Sequence, residues 1–165
     1  MKLILTRHAK SAWDDPLLSD FERTLNARGR DAARRVGAWL NANGHLPQEV
    51  ILSGAARTVE TWDRTGLLSP NVRTDERLYH APAELMLTVL QGATAETVML
   101  IGHNPGIADF ARRIAAAPVD HPRAEDYPTA ATLIVEVDAP SWRDLRFAMG
   151  RARAFVVPRD LPEAT

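Results

Sequence analysis

The residues best suited to chemistry in this chain are two histidines, each placed where an apolar run stops and the backbone turns. Leu3-Ile4-Leu5-Thr6 runs into Arg7-His8-Ala9-Lys10-Ser11, and Val98-Met99-Leu100-Ile101 runs into Gly102-His103-Asn104-Pro105-Gly106. An imidazole is a nucleophile or proton carrier near neutral pH. The guanidinium of Arg7, beside the first of them, is a planar fork of donors matched to phosphate oxygens. A third turn, Ser53-Gly54-Ala55-Ala56-Arg57-Thr58, places Arg57 in the first turn of a helix. The helix dipole disfavours a cation there, so Arg57 points to an anion that it answers. Taken singly, each residue has an ordinary reading: a hydrogen-bonded loop histidine, a surface ion pair for Arg7, a solvated arginine for Arg57. Three strand ends that supply Arg7 with His8, Arg57, and His103 together describe a small basic pocket for a phosphoryl group.

Such a pocket needs elements that bring the three turns to one edge. Short apolar runs bounded by turn residues read as buried strands of a parallel-type sheet, and in such sheets ligands gather beyond the carboxyl ends of the strands. Lys10 to Glu22 is a long polar loop after the first strand, of the kind that is often functional. Ala32, Ala33, Val36, Ala38, Trp39 and Leu40 have helical spacing within a helix of about 26–43, ended by Asn43-Gly44. Val50 to Leu52 reads as a strand, Ala55 to about Leu68 as a helix, Asn71 to Thr74 as a short strand, and Ala83 to Gln91 as a helix with Leu85, Met86, Val89 and Leu90 inward. Thr97 to Ile101 is the next strand. Asn104 as N-cap and Pro105 in the first turn open a helix to about Ala116. Pro118 to Pro128 is a loop, and Ala131 to Val137 with Leu145 to Met149 read as two final strands. The alternation predicts a single-domain, three-layer α/β/α sandwich with a mostly parallel central sheet.

Composition narrows the function classes. The chain has 165 residues, 20 Lys plus Arg against 21 Asp plus Glu, and no cysteine. The near balance of charge speaks against the sustained basic face that nucleic acid or a membrane surface needs. Absence of cysteine excludes a disulfide, a thiolate nucleophile and a Cys-ligated metal. The first apolar run is too short for a signal-peptide core and no stretch is long enough to span a bilayer, so the expected location is cytoplasmic.

Arg7-His8 after an N-terminal strand, the Ser53 to Thr61 segment (SGAARTVET) and Gly102-His103-Asn104-Pro105-Gly106 resemble the signature of the histidine phosphatase superfamily, the phosphoglycerate mutase-like fold. RHAKS, the stretch Asp20-Phe21-Glu22-Arg23-Thr24-Leu25 with Gly29, and the GHNPG form resemble most the small SixA-type phosphohistidine phosphatases. The resemblance implies that His8 is the nucleophile and becomes transiently phosphorylated before water releases phosphate. It also implies that Arg7, Arg57 and His103 hold the nonbridging oxygens, so that catalysis is mainly positioning and charge stabilisation with no cofactor. A neutral His8 is required, and Arg7 and Arg57 favour that form. A metal held by His8, His103 and carboxylates such as Asp14 or Asp109 lacks any compact ligand spacing.

One departure bears on substrate. Larger members of the family commonly carry a glutamate after the third strand as general acid, and here that region reads Asp75-Glu76-Arg77-Leu78-Tyr79-His80-Ala81-Pro82-Ala83-Glu84. Glu76 and Glu84 are the candidates, each with an ordinary reading as solvated charge or helix N-terminal charge. Without an acid, phosphohistidine is favoured over sugar phosphates, because a leaving imidazole nitrogen is protonated near pH 6.5. The reading is therefore a phosphohistidine phosphatase acting on a phosphorylated protein, with a phosphatase of small phosphorylated substrates or a non-catalytic phospho-ligand-binding module as alternatives. Trp39 and Trp62 read as core, His45 and His121 as solvated, and Arg23 and Lys10 as surface charge. Trp13 either walls the pocket or anchors the loop.

Overall fold

The computed structural model describes residues 1–164. Six strands form one sheet: β1 (Lys2–Arg7), β2 (Glu49–Leu52), β3 (Val72–Thr74), β4 (Thr97–Gly102), β5 (Thr132–Val137) and β6 (Gly150–Val156), in the order β3-β2-β4-β1-β5-β6. The pairs β3 with β2, β2 with β4 and β4 with β1 are parallel, while β5 and β6 continue the sheet antiparallel. Four helices flank it: α1 (Ala27–Ala42), α2 (Ala56–Thr65), α3 (Ala83–Leu90) and α4 (Gly106–Ile114).

Strand alternation divides the core into two layers, because successive side chains leave a strand on opposite faces. Leu3, Leu5, Ile51, Val98 and Leu100 pack with Met86, Val89 and Leu90 of α3 and Phe110 and Ile114 of α4. Ile4, Val50, Leu52, Met99 and Ile101 pack with Val36 and Leu40 of α1 and Trp62 of α2. Both faces are thus covered, which is why the parallel strands read as continuous apolar runs. The three-layer α/β/α sandwich follows.

Helix α1 starts where the Asn26 side chain accepts from the Gly29 amide at 2.8 Å, and α2 stops at Gly66, whose φ is 69°. Trp62 is buried and Trp39 half-buried against the same layer. Two boundaries differ from the sequence reading. The helix after His103 begins at Gly106 with Pro105 in the cap position, because the Asn104 side chain donates instead to the carbonyls of Asp126 and Tyr127, at 2.9 and 3.2 Å. The last strand is Gly150–Val156, not Leu145 to Met149. Leu145 and Trp142 are buried around a short 3₁₀ turn, Trp142–Asp144, and Ala148 turns the chain at φ 63°. The strand that follows keeps alanines at its inward positions, a weak apolar signal.

Gly29 fixes the loop that follows His8. A Cβ at Gly29 would lie 2.1 Å from the Lys10 carbonyl oxygen, so only glycine lets α1 meet that backbone. Gly29→Ala is expected to destabilise the fold by about 1 to 3 kcal/mol, the scale of overpacking, and chemical denaturation measures it.

Candidate active site

The carboxyl ends of β2, β4 and β1 are adjacent, with Leu52 paired to Ile101 and Arg7 paired to Gly102. Three turns leave the sheet there side by side. His8 follows β1, His103 follows β4, and Arg57 stands in the first turn of α2 after β2. The structure brings Arg7, His8, Arg57 and His103 together at this edge: the rings of His8 and His103 are 5.2 Å apart, Arg57 Nη2 lies 3.3 Å from His103 Nδ1, and both arginines act electrostatically on His8. His8, Arg57 and His103 are all buried.

The hydrogen bonds of His8 select its tautomer. Nδ1 lies 2.7 Å from the Ala9 carbonyl, which can only accept, so a neutral ring carries its proton on Nδ1 and its lone pair on Nε2. The His8 amide donates to the Gly102 carbonyl at 3.0 Å, and the Ala9 amide to Thr61 Oγ1 at 2.9 Å, so the backbone around the ring is held from two sides. Burial pushes the His8 imidazole down to about 4, opposed by the Ala9 hydrogen bond and assisted by Arg57, Arg7 and Arg23. The neutral form required at physiological pH is thus secured first by desolvation and only then by the arginines. His103 is lowered to about 3 by burial, then by His8, Arg57 and His80. Arg57 can only donate to Nδ1, so Nε2–H of His103 donates to Ser53 Oγ at 2.8 Å.

These depressed values link folding to pH. A histidine whose folded pKa lies below its unfolded value contributes stability that is complete above about pH 6.5 and is lost as pH falls toward the folded value. For His8 the window runs from about 6.5 down to about 4. His8→Ala is expected to remove about 2 to 3 kcal/mol of the stability that the protein loses between pH 7 and 4.5. Thermal unfolding at the two pH values measures it, and an unchanged pH dependence contradicts a buried neutral His8.

The arginines are shaped for an anion. Arg7 Nη1 donates to the Tyr127 carbonyl at 3.1 Å, which orients the guanidinium, while its Nε is buried with no partner. Arg57 Nε is likewise buried and unpartnered. Tyr127, fully buried, is itself held by its hydroxyl on the Leu5 carbonyl at 2.6 Å.

Sequence reasoning missed the other half of the pocket. Asp20, in the 3₁₀ turn Asp20–Glu22, reaches over it: its carbonyl accepts from Arg57 Nη1 at 2.7 Å, and its Oδ2 from Arg57 Nη2 at 3.1 Å and from the Tyr79 hydroxyl. Oδ2 also lies 3.3 Å from His80 Nε2. The Tyr79 hydroxyl, then Arg23 and Arg57, hold this carboxyl well below the usual carboxylate range. Arg23, expected at the surface, is buried: it donates to Ser11 Oγ at 2.5 Å and to Asp20 Oδ1 at 2.9 Å, and its guanidinium lies 3.4 Å from the Trp13 ring centre. Trp13, 77% exposed, therefore anchors the loop through Arg23. The signal in the sequence was the Asp20, Arg23, Gly29 spacing, whose physical content appears only when the loop folds back.

The other expectations separate. Glu84 pairs with Arg113 Nη1 at 2.5 Å, away from the four pocket residues, and Glu76 starts the turn Glu76–Leu78 without a hydrogen bond to any of them. His45 is half-buried, 3.1 Å from Lys2 Nζ, and His121 meets Asp160 at 2.8 Å, so neither is simply solvated. Among the described residues no group of three or more His, Cys, Asp or Glu is placed to hold a metal ion, and no helix is long and apolar enough to cross a membrane.

Known proteins resemble this chain in sequence and in fold. Residues 3–83, which include Arg7, His8 and Arg57, match the family model of the histidine phosphatase superfamily (branch 1). An uncharacterized chloroplastic protein of Arabidopsis thaliana is 32% identical over 137 residues, 72% of this chain and 61% of that protein, so the chain spans less than two thirds of that relative's length. A Nakamurella multipartitia chain assigned as the phosphohistidine phosphatase SixA superposes with a TM-score of 0.79 at 27% identity, covering 95% of each chain. The protein histidine phosphatase SixA complexed with tungstate gives 0.80 at 22% identity, covering 97% of this chain and 99% of that one. Matched in sequence through two of the three turns and in structure through nearly the whole chain, this protein belongs to the histidine phosphatase superfamily.

Proposed function

We propose that this protein is a phosphatase that hydrolyses phosphohistidine in proteins through a transient phosphoryl group on His8. The observation that carries the reading is the pair of buried, unpartnered guanidinium N–H groups, Arg7 Nε and Arg57 Nε, beside an imidazole held neutral with its lone pair on Nε2. A buried donor without an acceptor is costly, and a tetrahedral oxyanion supplies acceptors for both at once.

The reaction divides into two in-line displacements. His8 Nε2 attacks phosphorus, the bond to the leaving group breaks, and the ring's positive charge is met by the Ala9 carbonyl on Nδ1–H. Water then attacks the phosphoryl group on His8 and returns the electron pair to Nε2. Arg7 and Arg57 neutralise the charge on the nonbridging oxygens throughout. His103 orients Arg57 in the resting site by accepting from its Nη2 at Nδ1. Arginines and imidazoles supply the charge stabilisation in this reading, so the reaction is metal-independent.

Phosphohistidine as substrate rests on two supports. The similar Nakamurella protein is assigned to that activity. Of the two glutamates weighed as general acid, Glu84 pairs with Arg113, and Glu76 is exposed at the start of its turn without a hydrogen bond to the four site residues. Phosphate release from a phosphohistidine protein, an aryl phosphate and sugar phosphates tests the proposal, with the phosphohistidine protein turned over fastest. Glu76→Gln and Glu84→Gln are expected to change phosphohistidine turnover by less than about threefold, because neither touches the reacting atoms. Efficient sugar phosphate hydrolysis that disappears in either variant overturns the reading in favour of a small-molecule phosphatase.

A further inference from the structure

The turn after Leu78 places an imidazole over the pocket that the mechanism above does not use. His80 is half-exposed, its ring lies 5.3 Å from the ring of His103 and 4.1 Å from that of Tyr79, and its Nε2 is 3.3 Å from Asp20 Oδ2. Its backbone adopts φ 52°, a left-handed conformation that L side chains seldom take and that persists only where the surroundings enforce it. Here they do: Leu78 and Ala81 on either side are buried, and a Cβ at Gly106 would lie 1.8 Å from the Ala81 carbonyl oxygen, so the turn is pressed against the start of α4.

We propose that His80 is the general acid of this site and that Asp20 is its positioning residue. The inference rests on the phosphatase reading above. An in-line displacement puts the leaving atom on the side of phosphorus opposite the nucleophile, and His8 and His80 both neighbour the His103 ring, at 5.2 and 5.3 Å. Asp20 accepts from Nε2–H of His80, so Nδ1 carries the proton that moves, the same division of labour by which a carboxylate orients a catalytic histidine elsewhere. In the first displacement His8 Nε2 bonds to phosphorus and the P–N bond of the substrate breaks. The electron pair stays on the substrate imidazole, which takes the Nδ1 proton of His80. In the second, neutral His80 takes a proton from the attacking water as the phosphoryl group leaves His8, and the starting state is restored.

The assignment names the substrate class more sharply. Proton transfer is most efficient between groups of matched basicity, and an imidazole acid is matched to an imidazole leaving group. The groups that face His80 are the Asp20 carboxylate, the Tyr79 hydroxyl and His103, with Arg57 sharing Asp20 Oδ2 behind them.

The test uses the full chain with His80→Asn and His80→Gly, since both residues tolerate positive φ, and compares a phosphohistidine protein with an aryl phosphate whose leaving group needs little protonation. Formation of phospho-His8 from the phosphohistidine protein, followed in a single turnover, is expected to slow by roughly 100-fold or more, and its formation from the aryl phosphate by less than about 10-fold, because release of phosphate from phospho-His8 is common to both substrates. The basic limb of the phosphohistidine pH–rate profile is expected to disappear. Added imidazole is expected to restore His80→Gly turnover of phosphohistidine in proportion to its concentration. Asp20→Asn is expected to move the basic limb to lower pH while leaving it present. Equal losses on both substrates without imidazole rescue, or unchanged phosphohistidine turnover, overturn the role of His80. A wild-type protein that forms phospho-His8 from the aryl phosphate but never releases phosphate from phosphohistidine overturns the substrate reading along with it.

Discussion

His8→Ala is expected to lower turnover of every substrate by roughly 10⁴-fold or more, the scale of removing a nucleophile from a site that acts as a unit. The wild-type protein, reacted briefly with substrate and quenched without acid, is expected to carry an acid-labile, base-stable phosphoryl group on His8. The expectation follows from the tautomer: Nδ1 is committed to the Ala9 carbonyl, so the only lone pair on the neutral ring is that of Nε2. Because the ring is lowered to about 4, protonation does not withdraw that lone pair until the solution is distinctly acidic, and the acid limb of kcat/KM is expected near that value. Phosphoenzyme formed undiminished in His8→Ala sinks the assignment.

Arg57→Ala is expected to lower kcat/KM by about 2 to 4 kcal/mol, the loss seen when one preorganised donor to a developing charge is removed. Arg57→Lys is expected to recover only part of it, since an ammonium lacks the fork that meets Asp20 and His103 together. The alanine substitution leaves Asp20 held by Arg23, the Tyr79 hydroxyl and His80. Fold integrity is the control: Arg57 stands at the strand ends and is not part of the two apolar layers, so the unfolding midpoint is expected to change much less than activity. An Arg57→Ala protein that loses activity only through global unfolding shows Arg57 to be structural.

Much of the site was legible because its residues sit beside strong local signals. Arg7, His8 and His103 follow strands buried on both faces, whose apolar runs stand out in any reading. Arg57 is conspicuous because its place in the first turn of α2 runs against the helix dipole. Helical spacing located α1, whose start the Asn26 side chain caps, and Gly66 explains why α2 ends at Thr65 before the predicted Leu68. The final strand was misplaced because Leu145 offers more apolar signal than the alanines of Gly150–Val156, yet Leu145 is buried by a turn and not by the sheet.

Asp20 and His80 were not legible in the same way. Asp20 lies 37 residues from Arg57 and 60 from His80 along the chain, in a polar loop where a carboxylate is unremarkable. Its meaning depends on that loop folding back over the strand ends, with Arg23 buried on Ser11 and Trp13 to hold it there. Apart from the last strand, the sequence by itself determined which elements form and which imidazoles and guanidinium groups stand at their ends, because periodicity, caps and turn residues act over a few positions. Only the tertiary structure decided the tautomer and neutrality of His8, the unpartnered Nε groups of Arg7 and Arg57, and the pairing of Asp20 with His80, because burial and charge act between atoms that the chain itself holds far apart.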